Sequence, residues 1–346
     1  MCNNNVSSNT ARRQHRELRE NAERGTLMPN VLSRMMLFGL LTAATGVACG
    51  QSYPAKPIRI VTSNAGSGND LVARILAQGV TGPLGQPVIV DNRASAVVAG
   101  EVVSRAPADG YTLLFYGNSL WLLPLMRSSV PYDTLRDFAP ITMASSAPSV
   151  LTVHPSLPVE SVRELIALAK ARPGQLNDGS PAVGTSTHLA AELFKFMAGV
   201  NIVRVPYKGG AGALNDLLAG HIQLAFVITT VAVPHVKSQR LRALGITSPA
   251  PSPQFPDLPT IAATGLPGYE SLALAGLLAP SRTPDAVIRR LNQEFLKVMA
   301  LADVKERFQA LGVETAGSTP EQFTATINSE ITRWGEVIRK AGIRDE

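Results

Sequence analysis

Ile58-Arg59-Ile60-Val61-Thr62-Ser63-Asn64-Ala65-Gly66-Ser67-Gly68-Asn69-Asp70 is the stretch that decides the fold class. Its β-rich start predicts a strand, Asn64 to Asn69 a glycine-rich turn, and the apolar spacing from Asp70 to Gly79 a helix. Pro87-Val88-Ile89-Val90 follows as a second buried strand, set off by Gly82-Pro83-Leu84-Gly85. A helix around Gly100 to Ala106 then leads through Asp109-Gly110 into the strand Tyr111-Thr112-Leu113-Leu114-Phe115. Strand and helix alternating at this length predict right-handed βαβ units and a mainly parallel sheet, hence an α/β protein.

The pattern then repeats. Val150-Leu151-Thr152-Val153 opens a second unit, and Ser161-Val162-Arg163-Glu164 has the form of a capping box. Leu165, Ile166, Leu168 and Ala169 form the apolar face of that helix, which Pro173-Gly174 stops. The run Asn201 to Val205, a helix Ala213 to Leu218 and a strand Ile222 to Val227 continue the alternation, and 248–260 reads as a Pro- and Ser-rich surface loop. In the tail, Thr283-Pro284 and Thr319-Pro320 each set a capping oxygen before a proline at the first helical position. Phe323, Ile327, Ile331, Trp334 and Ile338 make one apolar stripe, read as core packing.

Charge and cysteine usage narrow the function. The chain has 346 residues and a formal charge of +6, but six Arg and three acidic residues lie in the first fifty, leaving 26 basic against 23 acidic beyond them. Scattered signs on a nearly neutral body are not a nucleic-acid footprint. Cys2 and Cys49 both precede the folded body, which therefore has no disulfide, thiol nucleophile or thiolate metal site. Arg34, the apolar run Met35 to Leu41 and the small residues through Ala48-Cys49-Gly50 form a secretory signal too short to span a membrane, with cleavage before Gln51. Segment 1–33 is polar, which favours a start at Met28 or Met35; acylation of Cys49 is the alternative reading of the same signal.

Two glycine-rich turns are the candidate chemistry. Thr62 to Asp70 precedes one helix, and Gly184-Thr185-Ser186-Thr187-His188 precedes the helix Leu189 to Ala198. Each offers backbone N–H groups and small hydroxyls at the positive end of a helix, which suits a carboxylate. A dinucleotide site at Gly66-Ser67-Gly68 with Asp91 fails because Leu71 stands at the third glycine position. The five histidines form no His-x-x-x-His pair, and no Gly-x-Ser-x-Gly elbow occurs, so neither zinc chemistry nor serine hydrolysis is indicated and no cofactor is implied.

A resemblance covers almost everything after Gln51. Tyr53-Pro54-Ala55-Lys56-Pro57-Ile58, Leu84-Gly85-Gln86-Pro87-Val88, Asn92-Arg93 and Ala108-Asp109-Gly110-Tyr111-Thr112-Leu113-Leu114 resemble Bug-type receptors, the substrate-binding proteins of tripartite tricarboxylate transporters. So do Tyr132-Asp133, Asp137-Phe138-Ala139-Pro140, Gly184-Thr185 with His188-Leu189, and Val205-Pro206-Tyr207-Lys208-Gly209-Gly210. Pro259-Thr260, Gly265-Leu266-Pro267-Gly268-Tyr269 and Gly276-Leu277-Leu278-Ala279-Pro280 complete the series.

That resemblance implies a two-lobed, type II periplasmic binding protein of the Venus-flytrap kind, with two Rossmann-like domains and a ligand cleft between them. It implies an extension and signal peptide over 1–50, one lobe from 51–150 plus 272–346, and a second from 151–271. The receptor is expected to act as a monomer without catalysis, to capture a small carboxylate and to pass it to membrane permease subunits of the transporter. Carried over, the ligand residues are Thr62, Ser63, Asn64, Ala65, Gly66, Ser67, Gly68 and Asp70, with Asn118 and Ser119 after the strand ending at Phe115, and Ser180, Gly184, Thr185, Ser186 and His188. The departures gather at the site: Thr62-Ser63 replaces Pro-Phe, Ser67 breaks a glycine pair, and Ala94 to Val97 lacks the expected glycines. Ala182 replaces a glycine, Leu274 a tryptophan, and Val227 an aspartate that contacts amino groups, which argues against an amino-acid ligand. The alternatives are a ligand-sensing partner of a signalling receptor and an enzyme on the same scaffold.

Overall fold

The structure, a computed structural model, describes residues 53–345; the N-terminal extension, the signal segment and Cys49 lie outside the described residues. Side chains on a strand point alternately to opposite faces, and here the alternation sorts the core. On β1 (Ile58–Thr62), Ile58 and Ile60 enter one apolar cluster and Val61 another. On β3 (Thr112–Gly117), Leu113 and Phe115 join the first cluster, Leu114 and Tyr116 the second. These strands are therefore buried on both faces, as strands of a helix-covered sheet must be.

The covering helices follow from the connections. Helix α1 (Gly68–Leu84), with α10 (Asp285–Ala300) and α11 (Ala302–Ala310), covers the face of Ile60 and Phe115. Helices α2 (Ala96–Ser104), α3 (Asn118–Met126) and α12 (Pro320–Ala341) cover the face of Val61 and Leu114. The stripe on α12 is buried as read: Phe323, Ile327, Trp334 and Ile338 are all in the core, and Trp121 meets Phe323 edge to face at 6.0 Å.

The sheet has ten strands in the order β2-β1-β3-β9-β4-β7-β5-β6, with β8 and the short β10 (Glu314–Thr315) also pairing to β4. Parallel pairs join β2 (Val88–Asn92) and β3 to β1, and β6 (Val203–Pro206) and β7 (Leu224–Ile228) to β5 (Asn177–Ser180). The middle is antiparallel. The 16-residue strand β4 (Phe138–Val153) pairs along Phe138–Pro148 with β9 (Leu272–Pro280), with register shifts at Pro140/Thr142 and Met143/Ser145. Its end, Ser149–Val153, pairs with β7, and Val150–Val153 also pairs with β8 (Arg242–Ile246). The sheet is thus two parallel βαβ halves joined by an antiparallel centre, not the mainly parallel sheet expected.

Several local readings are corrected. Helix α1 starts at Gly68 and keeps Pro83 within its last turn, ending on Gly85 at φ 68. Thr283 does not cap α10; its hydroxyl donates to Pro280 O at 2.7 Å and the helix starts at Asp285. Ser161 does cap α5 (Val162–Ala171), but Glu164 accepts from Glu160 N, not from the cap residue, so the box is half formed. Thr319 and Gln322 complete the box on α12.

Candidate functional site

Parallel strands bring their carboxyl ends to one edge, where the following helices begin. Thr62, Asn92 and Gly117 end β1, β2 and β3 at that edge, and Thr62 Oγ1 donates to Phe115 O at 2.9 Å. The first loop is organised by Asp70. Its carboxylate accepts from Gly66 N at 2.8 Å and Asn92 Nδ2 at 2.7 Å and pairs with Arg74 at 3.0 Å, while Asn92 also donates to Ser63 O. Burial alone would raise the Asp70 pKa, but the hydrogen bonds from Arg74, Asn92 and Gly66 outweigh it and hold the carboxyl below its ordinary range. Ser67 caps α1 by accepting from Asp70 N, and its hydroxyl lies 2.6 Å from that of Ser63. Gly66 sits at φ 78, a conformation glycine adopts without strain.

The second loop differs. Thr185 stands at the N-cap of α6 (Ser186–Ala198) but makes no side-chain cap; its hydroxyl donates to Ala182 O at 2.9 Å. The first amides of α6 are left for solvent or ligand, as at any uncapped helix start. His188, 2% exposed, accepts from Gly184 N on Nδ1 at 3.3 Å, so its proton lies on Nε2, 3.8 Å from Glu192. Burial, with the charges of Arg204 and Lys195, pushes its pKa down to about 3, leaving a neutral ring. Arg204 braces the loop from β6, donating to Pro181 O at 2.7 Å.

The two loops are therefore unequal for an anion. The first already holds a carboxylate, Asp70, against its own helix start; the second holds a bare helix start flanked by Arg204 and a neutral histidine. Asn118 and Ser119 open α3 behind Gly117, a further helix start without a side-chain cap. The Asn118 amide is engaged at both ends, donating to Glu330 Oε2 at 2.9 Å and accepting from Leu274 N at 2.6 Å. At its other end α3 meets the second loop: a Cβ on Gly184 would fall 2.9 Å from Met126 Cε. The fold thus brings together Ser63, Gly66, Ser67 and Asp70 in one cluster, and Gly184 with His188 in another. Among the described residues no hydrogen bond joins the two. Two concavities, of about 730 and 660 Å³, lie elsewhere, around Arg242 and Phe255 and around Gln254 and Lys305.

Sequence reading missed the groups that hold these loops in place: Asn92, Arg74, Arg204, Glu192 and Met126. A polar pair ending a strand, Asp91-Asn92, was the available signal for the first.

Against known proteins, the family described as "Tripartite tricarboxylate transporter family receptor" matches residues 72–343. The chain belongs to that family. BugT of Bordetella pertussis is 36% identical to the receptor over 324 residues, covering 91% of this chain and 99% of BugT. Among solved structures, R. palustris Rpa4515 with adipate is 33% identical with a TM-score of 0.73, covering 84% of this chain and 99% of that one. MatC from Rhodopseudomonas palustris with bound malate is 25% identical with a TM-score of 0.70, covering 83% and 100%. The receptor has the two-lobed α/β fold of periplasmic binding proteins, and its family is one of solute-binding receptors of the periplasm. Among the described residues no helix is long and apolar enough to cross a membrane, and no group of three or more His, Cys, Asp or Glu side chains could hold a metal ion.

Proposed function

We propose that the protein is a periplasmic receptor that captures a small carboxylate between its lobes and delivers it to the permease subunits of a tripartite tricarboxylate transporter. Likeness over nearly their whole length to receptors solved with adipate and with malate carries this reading. The lobes are residues 51–150 plus 272–346 and residues 151–271, joined through β4 and β9. The ligand residues are the first loop, Thr62 to Asp70, the start of α3, and the second loop, Ser180 to His188. The second loop is the stronger anion contact, because its helix start carries no acid of its own. The protein acts as an exported monomer and catalyses nothing.

Isothermal calorimetry and thermal shift with adipate, malate and aromatic carboxylates test the reading. A ligand at about 100 times its Kd stabilises the fold by about 2.7 kcal/mol. Silence from every acid in both measurements would discard the carboxylate assignment.

A further inference from the structure

Beneath the second loop lies a set of buried polar side chains that anion capture by the loop leaves unexplained. Asp178 and Ser180 sit two apart on β5, so their side chains share a face of the sheet. Each is 1% exposed, and both Asp178 carboxyl oxygens and the Ser180 hydroxyl lack any hydrogen-bond partner. Arg204, which pairs with Asp178 in the β5–β6 register, leaves its Nε unpartnered as well. Orphaned polar atoms gathered at one place mark internal water. A fully buried carboxylate without donors is also the less stable form of the acid.

We propose that Asp178 is a positioning residue carried as a neutral carboxylic acid, linked through internal water to Ser180 and the second loop, so that an anion on that loop binds together with a proton. The inference rests on the receptor reading above and adds its pH dependence.

Its surroundings set the sign. From α6, Glu192, Lys195 and neutral His188 face this region; from β6, Arg204; and behind them Tyr269, whose hydroxyl donates to Ala190 O, with Arg333 beyond it. The neighbouring β7 residue paired with Asp178 is Leu224, which does not titrate. Burial pushes the Asp178 pKa up to about 7, with Lys195 and Arg204 opposing the shift and Glu192 adding to it. With Asp178 protonated, Lys195 and Arg204 outnumber Glu192, and the charge beneath the loop favours an anion. With Asp178 ionised, that excess is gone. An anion on the loop in turn disfavours the ionised form, since like charges repel, and the two effects are reciprocal.

Calorimetry with adipate and malate, repeated in buffers of different ionisation heat, tests this. Wild-type protein is expected to take up protons on binding, and its affinity to fall about fivefold or more between about pH 6 and about pH 8, one pKa unit of coupling allowing tenfold. Asp178→Asn, which keeps the shape and cannot ionise, is expected to bind with a flat profile and no proton uptake. Proton uptake by the wild type needs no variant, so a poorly folding Asp178→Asn leaves the test intact. Binding without proton uptake overturns the proposal and spares the receptor reading, as does uptake that persists in Asp178→Asn. Failure of both acids to bind at every pH overturns both.

Discussion

Asn118 and Glu330, 212 residues apart in sequence, meet in the core at 2.9 Å, and the same asparagine accepts the Leu274 amide. One side chain thus fastens α3 to both α12 and β9. Glu330 is also held by Arg333 and by Trp334 Nε1 at 3.1 Å, so its buried charge is well compensated. Asn118→Ala strands the Leu274 N–H and removes one donor from Glu330. The expected loss is about 2–4 kcal/mol, because each buried group left unpaired costs about 1–3 kcal/mol; urea unfolding measures it.

Asp70 predicts a specific acid sensitivity. Its folded pKa is depressed, so the stability it adds is present above the unfolded value of about 4 and lost as pH falls through the folded value. Asp70→Asn is expected to lower stability at neutral pH by about 1–3 kcal/mol. The gap to wild type should close below about pH 4, which melting curves across acid pH will check.

His188 titrates with a different sign from Asp178. Its folded pKa is depressed to about 3, so the native ring is neutral where the unfolded ring charges. Unfolded chains then bind more protons below about pH 6.5, and stability falls as pH drops from there. His188→Asn should flatten that decline, since asparagine can keep an acceptor for Gly184 N and has nothing to titrate. An unchanged slope between about pH 6.5 and about pH 4 would refute the assignment.

Gly184 combines a φ of 79 with the close approach of Met126. Gly184→Ala is expected to cost about 1–2 kcal/mol from the backbone alone and, on the proposed receptor reading, to weaken carboxylate binding by reshaping the second loop. Met126→Ala in the same chain should relieve the steric part and leave the backbone part. Thermal melts of the single and double variants separate them.

Much of the fold was legible because its signals are local. The strand, turn and helix from Ile58 onward announce themselves through β-rich runs and small-residue turns, and α12 through apolar spacing. Strand β9 and the start of β4 did not. Leu272 to Pro280 is a near-continuous apolar run whose periodicity cannot separate strand from buried helix. Only pairing with partners more than a hundred residues away, such as Ala147 with Ala273, makes it a strand.

Of the site, the turns were readable because glycine and hydroxyl residues before a helix leave few other uses for such a segment. The supports were not. Thr283 and Thr319 look alike before a proline, yet only Thr319 caps its helix, with Gln322 three residues on to complete the box. Asp178 looks like any polar residue near a strand end; that it is sealed without donors depends on α6 closing over it.

The passage of β4 from one half to the other has a mechanical consequence. Because β4 runs without a break from its ladder with β9, which ends at Pro148, into its ladder with β7, which starts at Ser149, any swing of one half against the other is absorbed as torsion of one continuous strand. The step from Pro148 to Ser149, where β4 exchanges one partner for the other, is its most compliant point. Such a joint behaves as a spring with a preferred angle, and an occupant of the cleft works against that restoring twist.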